Sequence, residues 1–137
     1  MTAKEYLEQA IRLDQRINTK IEQVASLNAL ATKCTFTING MPHSPDKSRS
    51  TMADAIEKII DLQEEINRDI DRLIDLKCEI VSVIKAVDNP EYQTILEKRY
   101  LCFMQWKQIA ADMEYDLRYL FKIHSRALAQ VKIPHAA

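Results

Sequence analysis

Between Leu117 and Lys132 the chain carries Arg118, Lys122, Arg126 and Lys132 and no acid, although the formal net charge of the whole protein is −1. On a helical wheel of about 100° per residue, Arg118, Lys122, Ser125 and Ala129 fall on one side, with Arg126 beside them. Leu120, Ile123, Ala127 and Val131 fall opposite, and Gln130 lies at the edge of that apolar side. Such an outward face suits duplex DNA. Arginine and lysine match the acceptors of guanine, serine can donate to a base or a phosphate, and a small alanine lets the helix come close. Arg118, Lys122, Ser125 and Arg126 are therefore the candidate DNA-binding residues, with Arg126 on the flank as a phosphate contact. The competing reading is a solvated charged face, the usual fate of such side chains.

Other groups point to structure. His124 falls between Leu120 and Leu128 on the wheel, which predicts a partly buried, hydrogen-bonded imidazole. Trp106 precedes Ile109 and Ala110 by helical steps and reads as a core anchor. Phe121 has two readings, a contact to a thymine methyl or a cover for the flank of its module. No nucleophile motif and no phosphate-cradling glycine loop is visible. Cys34 and His43 share a segment without a zinc-type cysteine pair. The expectation is a protein that is no enzyme and holds no cofactor or metal.

The elements that must present this face follow from periodicity. Glycine occurs once, at Gly40, which favours long helices over sheets with many tight turns. Residues 3–32 read as one helix, with Tyr6, Ala10, Leu13, Ile17, Lys20, Val24, Leu27 and Ala31 at steps of three and four. Residues 33–49 hold Gly40, Pro42 and Pro45 and read as a loop, with a short extended piece at Thr35–Ile38 as an alternative. Residues 50–87 give a heptad seam through Met52, Ile56, Ile59, Gln63, Ile66, Ile70, Leu73, Lys77, Ile80, Ile84 and Val87. Ser50 or Thr51 is the expected cap of that helix, and the run Asp88-Asn89-Pro90 ends it. Three short helices follow: one from Pro90, capped by Asp88 or Asn89, one over Trp106–Met113, and one from Leu117, with Glu114-Tyr115-Asp116 as the turn between the last two. The fold class is thus all-α: a long antiparallel, coiled-coil-like hairpin over 1–88, then a three-helix helix-turn-helix module over 89–137.

The stretch from Ile95 to Leu128 resembles region four of the sigma-70 class of initiation factors. The matching pieces are Leu96, Arg99-Tyr100, Gln108-Ile109-Ala110, Asp116, Leu120, Ile123 and Ala127-Leu128. Long helices ahead of such a module also resemble small phage and prophage proteins of Gram-positive bacteria, including ArpU-like late transcription regulators. The likeness covers about a third of the chain. It implies a DNA-reading surface and not a promoter preference, because Leu117 and Phe121 stand where sigma factors often carry arginine, and the turn lacks the usual glycine.

Charge divides the same way. Residues 1–90 hold 12 basic and 15 acidic side chains, and residues 91–137 hold 7 and 5. Ile60, Leu62, Ile74 and Leu76 widen the apolar stripe of the second helix beyond what a two-helix seam covers. That surplus predicts a homodimer through residues 3–32 and 50–87, with Gln63 and Lys77 either setting register or lying near the rim. The expected partners are double-stranded DNA and RNA polymerase. The alternatives are a polymerase-docking interaction module and a phage DNA-packaging subunit. Three scattered cysteines, the absence of an apolar leader and the absence of a bilayer-length apolar run predict a cytoplasmic protein with no membrane partner, in a bacterial or phage-infected cell.

Overall fold

The computed structural model describes the backbone of residues 1–40 and 45–134, and side chains of residues 1–33 and 51–134. Every element among them is helical: α1 (Ala3–Gly40), α2 (Pro45–Lys85), α3 (Pro90–Tyr100), α4 (Trp106–Met113) and α5 (Leu117–Ala129). None of these helices is long and apolar enough to cross a membrane.

The expected loop over 33–49 is corrected. Residues 33–40 continue α1 and residues 45–49 open α2, leaving only 41–44 outside the described residues. Gly40 and Pro45 mark helix ends and not a long irregular segment. Gly40 is the last residue of α1, where its low helix propensity costs least. Pro45 is the first residue of α2, where its missing N–H would have had no intrahelical partner. Ser50 and Thr51 consequently lie inside α2 and do not cap it, and Thr35–Ile38 is helical and not extended.

Two compact units divide the chain, Met1–Asp14 with Leu73–Ala137, and Gln15–Arg72. The boundary expected at residue 88 is a break between helices, but the compact units part elsewhere. In the first unit, Tyr6, Leu7 and Ala10 of α1 pack with Ile80, Val83 and Ile84 of α2. Val87, Leu96, Tyr100 and Ala127 join that cluster, so the first turns of α1 and the last turns of α2 share a core with α3 and α5. A second cluster lies within the three short helices and holds Ile95, Ile109, Ala110, Leu120 and Ile123. In the second unit Ile17 and Ile66 are buried, and Lys20 Nζ meets Asp69 Oδ2 at 2.6 Å. Low residue numbers of α1 meet high numbers of α2 in each unit, which is an antiparallel pairing.

The face of α1 is as its spacing predicts: Tyr6, Ala10, Leu13, Ile17, Lys20, Val24, Leu27 and Ala31 are all buried or half-buried. One column of the predicted seam is covered: Ile59, Ile66, Leu73 and Ile80 on α2, and Val87 just past its end. Its companion column is Leu62, Asp69, Leu76 and Val83. The predicted companions Ile56, Gln63 and Ile70 are exposed instead, while Lys77 is half-buried and Ile84 fully buried, as predicted. The reason is that α2 carries two overlapping heptad seams, and α1 covers the one that also matches Lys20 to Asp69.

Candidate nucleic-acid interface

The module is built from its helix ends. Asn89 accepts from the N–H groups of Glu91 (2.9 Å) and Tyr92 (3.4 Å), with Pro90 opening α3. That pair satisfies two of the donors that a helix start leaves open. The connector from α3 to α4 turns at Phe103, whose φ is 57°. It is held from two sides. Arg99 donates to the Met104 carbonyl at 2.9 Å, and its guanidinium lies 4.8 Å from the centre of the Trp106 ring. Lys77 of α2 donates to the Leu101 carbonyl at 3.1 Å and lies 4.3 Å from the centre of the Phe103 ring. A bulky residue in the left-handed region is costly, and these four contacts fix it there.

The turn between α4 and α5 is made by Glu114, at φ 58° and ψ 40°. The N–H of Tyr115 reaches the Ala110 carbonyl at 2.9 Å and that of Glu114 reaches the Ala111 carbonyl at 3.3 Å. This is a Schellman ending with glutamate in the position that glycine usually takes. Tyr115 then donates to Glu91 Oε2 at 2.6 Å, tying the turn to the start of α3. That bond to a carboxylate, followed by burial and the nearby charge, pushes the Tyr115 phenol up to about 12. Asp116 caps α5 by accepting from the Arg118 N–H at 3.2 Å.

α5 turns Leu120, Ile123 and Ala127 fully inward. His124 is 7% exposed, and its Nε2 lies 2.8 Å from the Tyr100 hydroxyl. Burial, then the charges of Lys4 and Arg99, lowers the imidazole to about 4, so the ring is neutral at physiological pH. Trp106 packs edge-on to His124 at 4.5 Å and to Phe121 at 5.4 Å. The histidine and the tryptophan are therefore structural, as their wheel positions predict. Phe121 covers the module's flank through Trp106, although it stays 45% exposed.

Arg118, Lys122, Ser125 and Arg126 are all exposed on α5. Residues three and four apart on a helix are neighbours, so 118, 122, 125 and 126 form one continuous strip. Among the described residues no carboxylate pairs with Arg118, Lys122 or Arg126. The strip therefore offers three uncommitted cations and a hydroxyl on the second helix of a tight helix-turn-helix. Gln130 is exposed just past the end of α5, beyond the apolar edge expected for it.

Several supporting residues were not identified from sequence. Lys77 reads there as a seam or rim position, yet it clamps the α3–α4 connector. Tyr100 and Tyr115 carry no local signal for their partners, because each bond spans 24 residues. Arg99 and Tyr100, which enter the likeness to sigma factors, have internal partners here.

A family model described as a protein of unknown function (DUF1492) matches residues 46–132, from the start of α2 to just past α5. No curated protein matches the chain, and no solved structure matches it.

Proposed function

The chain belongs to the DUF1492 family, whose description assigns no activity, and from that premise we propose that it is a sequence-specific DNA-binding transcription regulator that inserts α5 into the major groove. The observation that carries this reading is the strip Arg118, Lys122, Ser125 and Arg126: exposed, without acidic partners among the described residues, and backed by the packed face of Leu120, Ile123 and Ala127. Backbone geometry supports it as well, since the Glu114 turn and the Asp116 cap fix where α5 begins. The phage or prophage origin rests on the resemblance to small Gram-positive phage proteins, and the cytoplasmic setting on the three scattered cysteines.

A second reading has its own observation. Tyr119 and Phe121 are 44% and 45% exposed on the same helix, and large exposed aromatics suit a protein surface such as RNA polymerase. A DNA-packaging subunit would use the same basic strip.

The experiment is selection on random duplexes, followed by titration at two salt concentrations. With about three or four phosphates neutralised per module, the logarithmic salt slope should be near −3 to −4. Arg118→Ala or Lys122→Ala should cost about 1–3 kcal/mol on the selected site and relax discrimination there. Arg126→Ala should weaken all duplexes alike. A folded protein that enriches no sequence, with variants indistinguishable from wild type, refutes the DNA reading and leaves α5 as a protein-docking helix.

A further inference from the structure

α2 has a second seam that α1 leaves open. Ile56, Ile60, Gln63, Asn67, Ile70 and Ile74 follow steps of four and three along one uninterrupted helix. All six are exposed, the isoleucines by 49%, 49%, 38% and 54% in chain order. Alternating steps of four and three make a coiled-coil seam. An isoleucine left half in water at four successive apolar positions of such a seam marks a surface meant to be covered.

The order of residues along the stripe says what covers it. Read from either end, it runs isoleucine, isoleucine, side-chain amide, side-chain amide, isoleucine, isoleucine. Its midpoint falls at residue 65. An antiparallel two-fold pair sets residue i against j and j against i, so this order lets isoleucine meet isoleucine and amide meet amide throughout. We propose that α2 pairs with α2 of a second copy of this chain, antiparallel, about an axis beside residue 65. Ile56 then faces Ile74 of the other copy, Ile60 faces Ile70, and Gln63 faces Asn67, so every layer joins like with like. The two amide layers sit at the centre, where a polar pair fixes register at some cost in stability.

The ends of the stripe select the antiparallel arrangement. One heptad position past Ile70 stands Lys77, which is engaged with Leu101 and Phe103 of the α3–α4 connector. In a parallel pair the two Lys77 positions would face each other, like charge on like charge. In the antiparallel pair the position across from Lys77 is Ala53, which is small, uncharged and exposed.

The flank of the stripe is acidic, with Glu57, Glu64 and Asp71 all exposed. The two-fold brings Glu64 near its own copy and Glu57 near Asp71. Self-association therefore tightens as salt rises, because screening removes that repulsion. DNA binding by α5 has the opposite salt dependence, so the two proposals fail independently.

The test uses the full chain, first unmodified and then in a background with Cys34, Cys78 and Cys102 replaced by serine. Sedimentation of the unmodified chain should show a reversible dimer within reach of about 100 μM, the weak end of specific association, and a smaller dissociation constant at higher salt. Ile60→Asp with Ile70→Asp should weaken it at least about 100-fold, since each burial would strand a charge, while circular dichroism shows the helices intact. In the cysteine-free background, chains with Ile60→Cys mixed with chains with Ile70→Cys should form a disulfide heterodimer under mild oxidation. Neither should form one alone, because each site lies about 15 Å along the axis from its own copy, beyond disulfide reach. Ready cross-linking of the Ile60→Cys chain to itself would overturn the antiparallel assignment. A strict monomer for the unmodified chain at that concentration would overturn the interface altogether.

Discussion

Lowering the pH should loosen this fold through one residue, His124. Its imidazole is nearly shut off from solvent, bonded to Tyr100 and held at about 4, against 6.5 for an open histidine. A group whose folded value is depressed contributes stability that is complete above 6.5 and is lost as pH falls through about 4. Over that window the unfolded chain binds a proton that the folded chain refuses. Between pH 7.5 and pH 5 the full linkage would remove about 2 kcal/mol. Relaxation and water penetration around the ring reduce this, so a loss of about 1–2 kcal/mol is expected. Urea unfolding at several pH values measures it, and the chain's one tryptophan, 4.5 Å from the imidazole, is the natural probe. The matched control is the double variant Tyr100→Phe with His124→Leu. It removes both polar partners together and so strands neither, a change that is often nearly neutral. The two proteins differ at no other position, so the difference between their pH slopes isolates this pair. The double variant should lose most of the pH slope between 7.5 and 5. Parallel stability curves for the two proteins, or a His124 resonance titrating near 6.5, would refute the reasoning.

Three further outcomes follow from backbone and charge. Glu114→Gly should stabilise the protein by about 0.5–1 kcal/mol in thermal unfolding, because glycine takes the left-handed position between α4 and α5 without strain. Lys20→Met should cost about 1–3 kcal/mol by stranding Asp69 at a largely buried site. The hydrogen bond from Lys20 holds Asp69 below its ordinary 3.8, and without it burial pushes that carboxyl up, so the difference from wild type should be full at neutral pH and fade as acid protonates Asp69, first in the variant. Lys77→Met should free the connector at Leu101–Phe103, seen as faster amide exchange for Cys102 and Met104 while the start of α3 stays protected.

The local parts of this fold were legible because their causes are local. Asn89 followed by Pro90 supplies a cap acceptor and a first-turn residue side by side, and the periodic runs at α4 and α5 needed only an apolar face to pack on. Residues 33–49 misled for the same reason. One glycine and two prolines in a polar stretch suggest a loop, but that Gly40 closes one helix and Pro45 opens the next depends on positions that composition does not encode. At the candidate site, the exposure of Arg118, Lys122, Ser125 and Arg126 followed from wheel geometry alone. What orients α5 did not, since Tyr100–His124 and Tyr115–Glu91 are closed by tertiary folding across 24 residues.

The seam of α2 shows the limit of reading periodicity. Its isoleucines satisfy two heptad registers that share a helix, and hydrophobicity ranks the wrong column first. Ile56 and Ile70 are more apolar than Asp69, yet Asp69 is the buried residue and they are exposed. The choice is made by the partner: α1 presents Lys20, which Asp69 meets at 2.6 Å, with Glu65 3.7 Å away as a second carboxylate. An apolar residue there would leave the half-buried ammonium only the more distant and more exposed Glu65, a loss that opposes the gain from covering one more isoleucine. Electrostatic pairing therefore decides which seam faces α1. The displaced isoleucines are the surplus that sequence alone detects, but it assigns them differently, to Ile60, Leu62, Ile74 and Leu76. Of these, Leu62 and Leu76 are half-buried in the seam that α1 covers, while Ile60 and Ile74 stand on the open one. The apolar excess is real, and the ion pair fixes the side of the helix on which it lies.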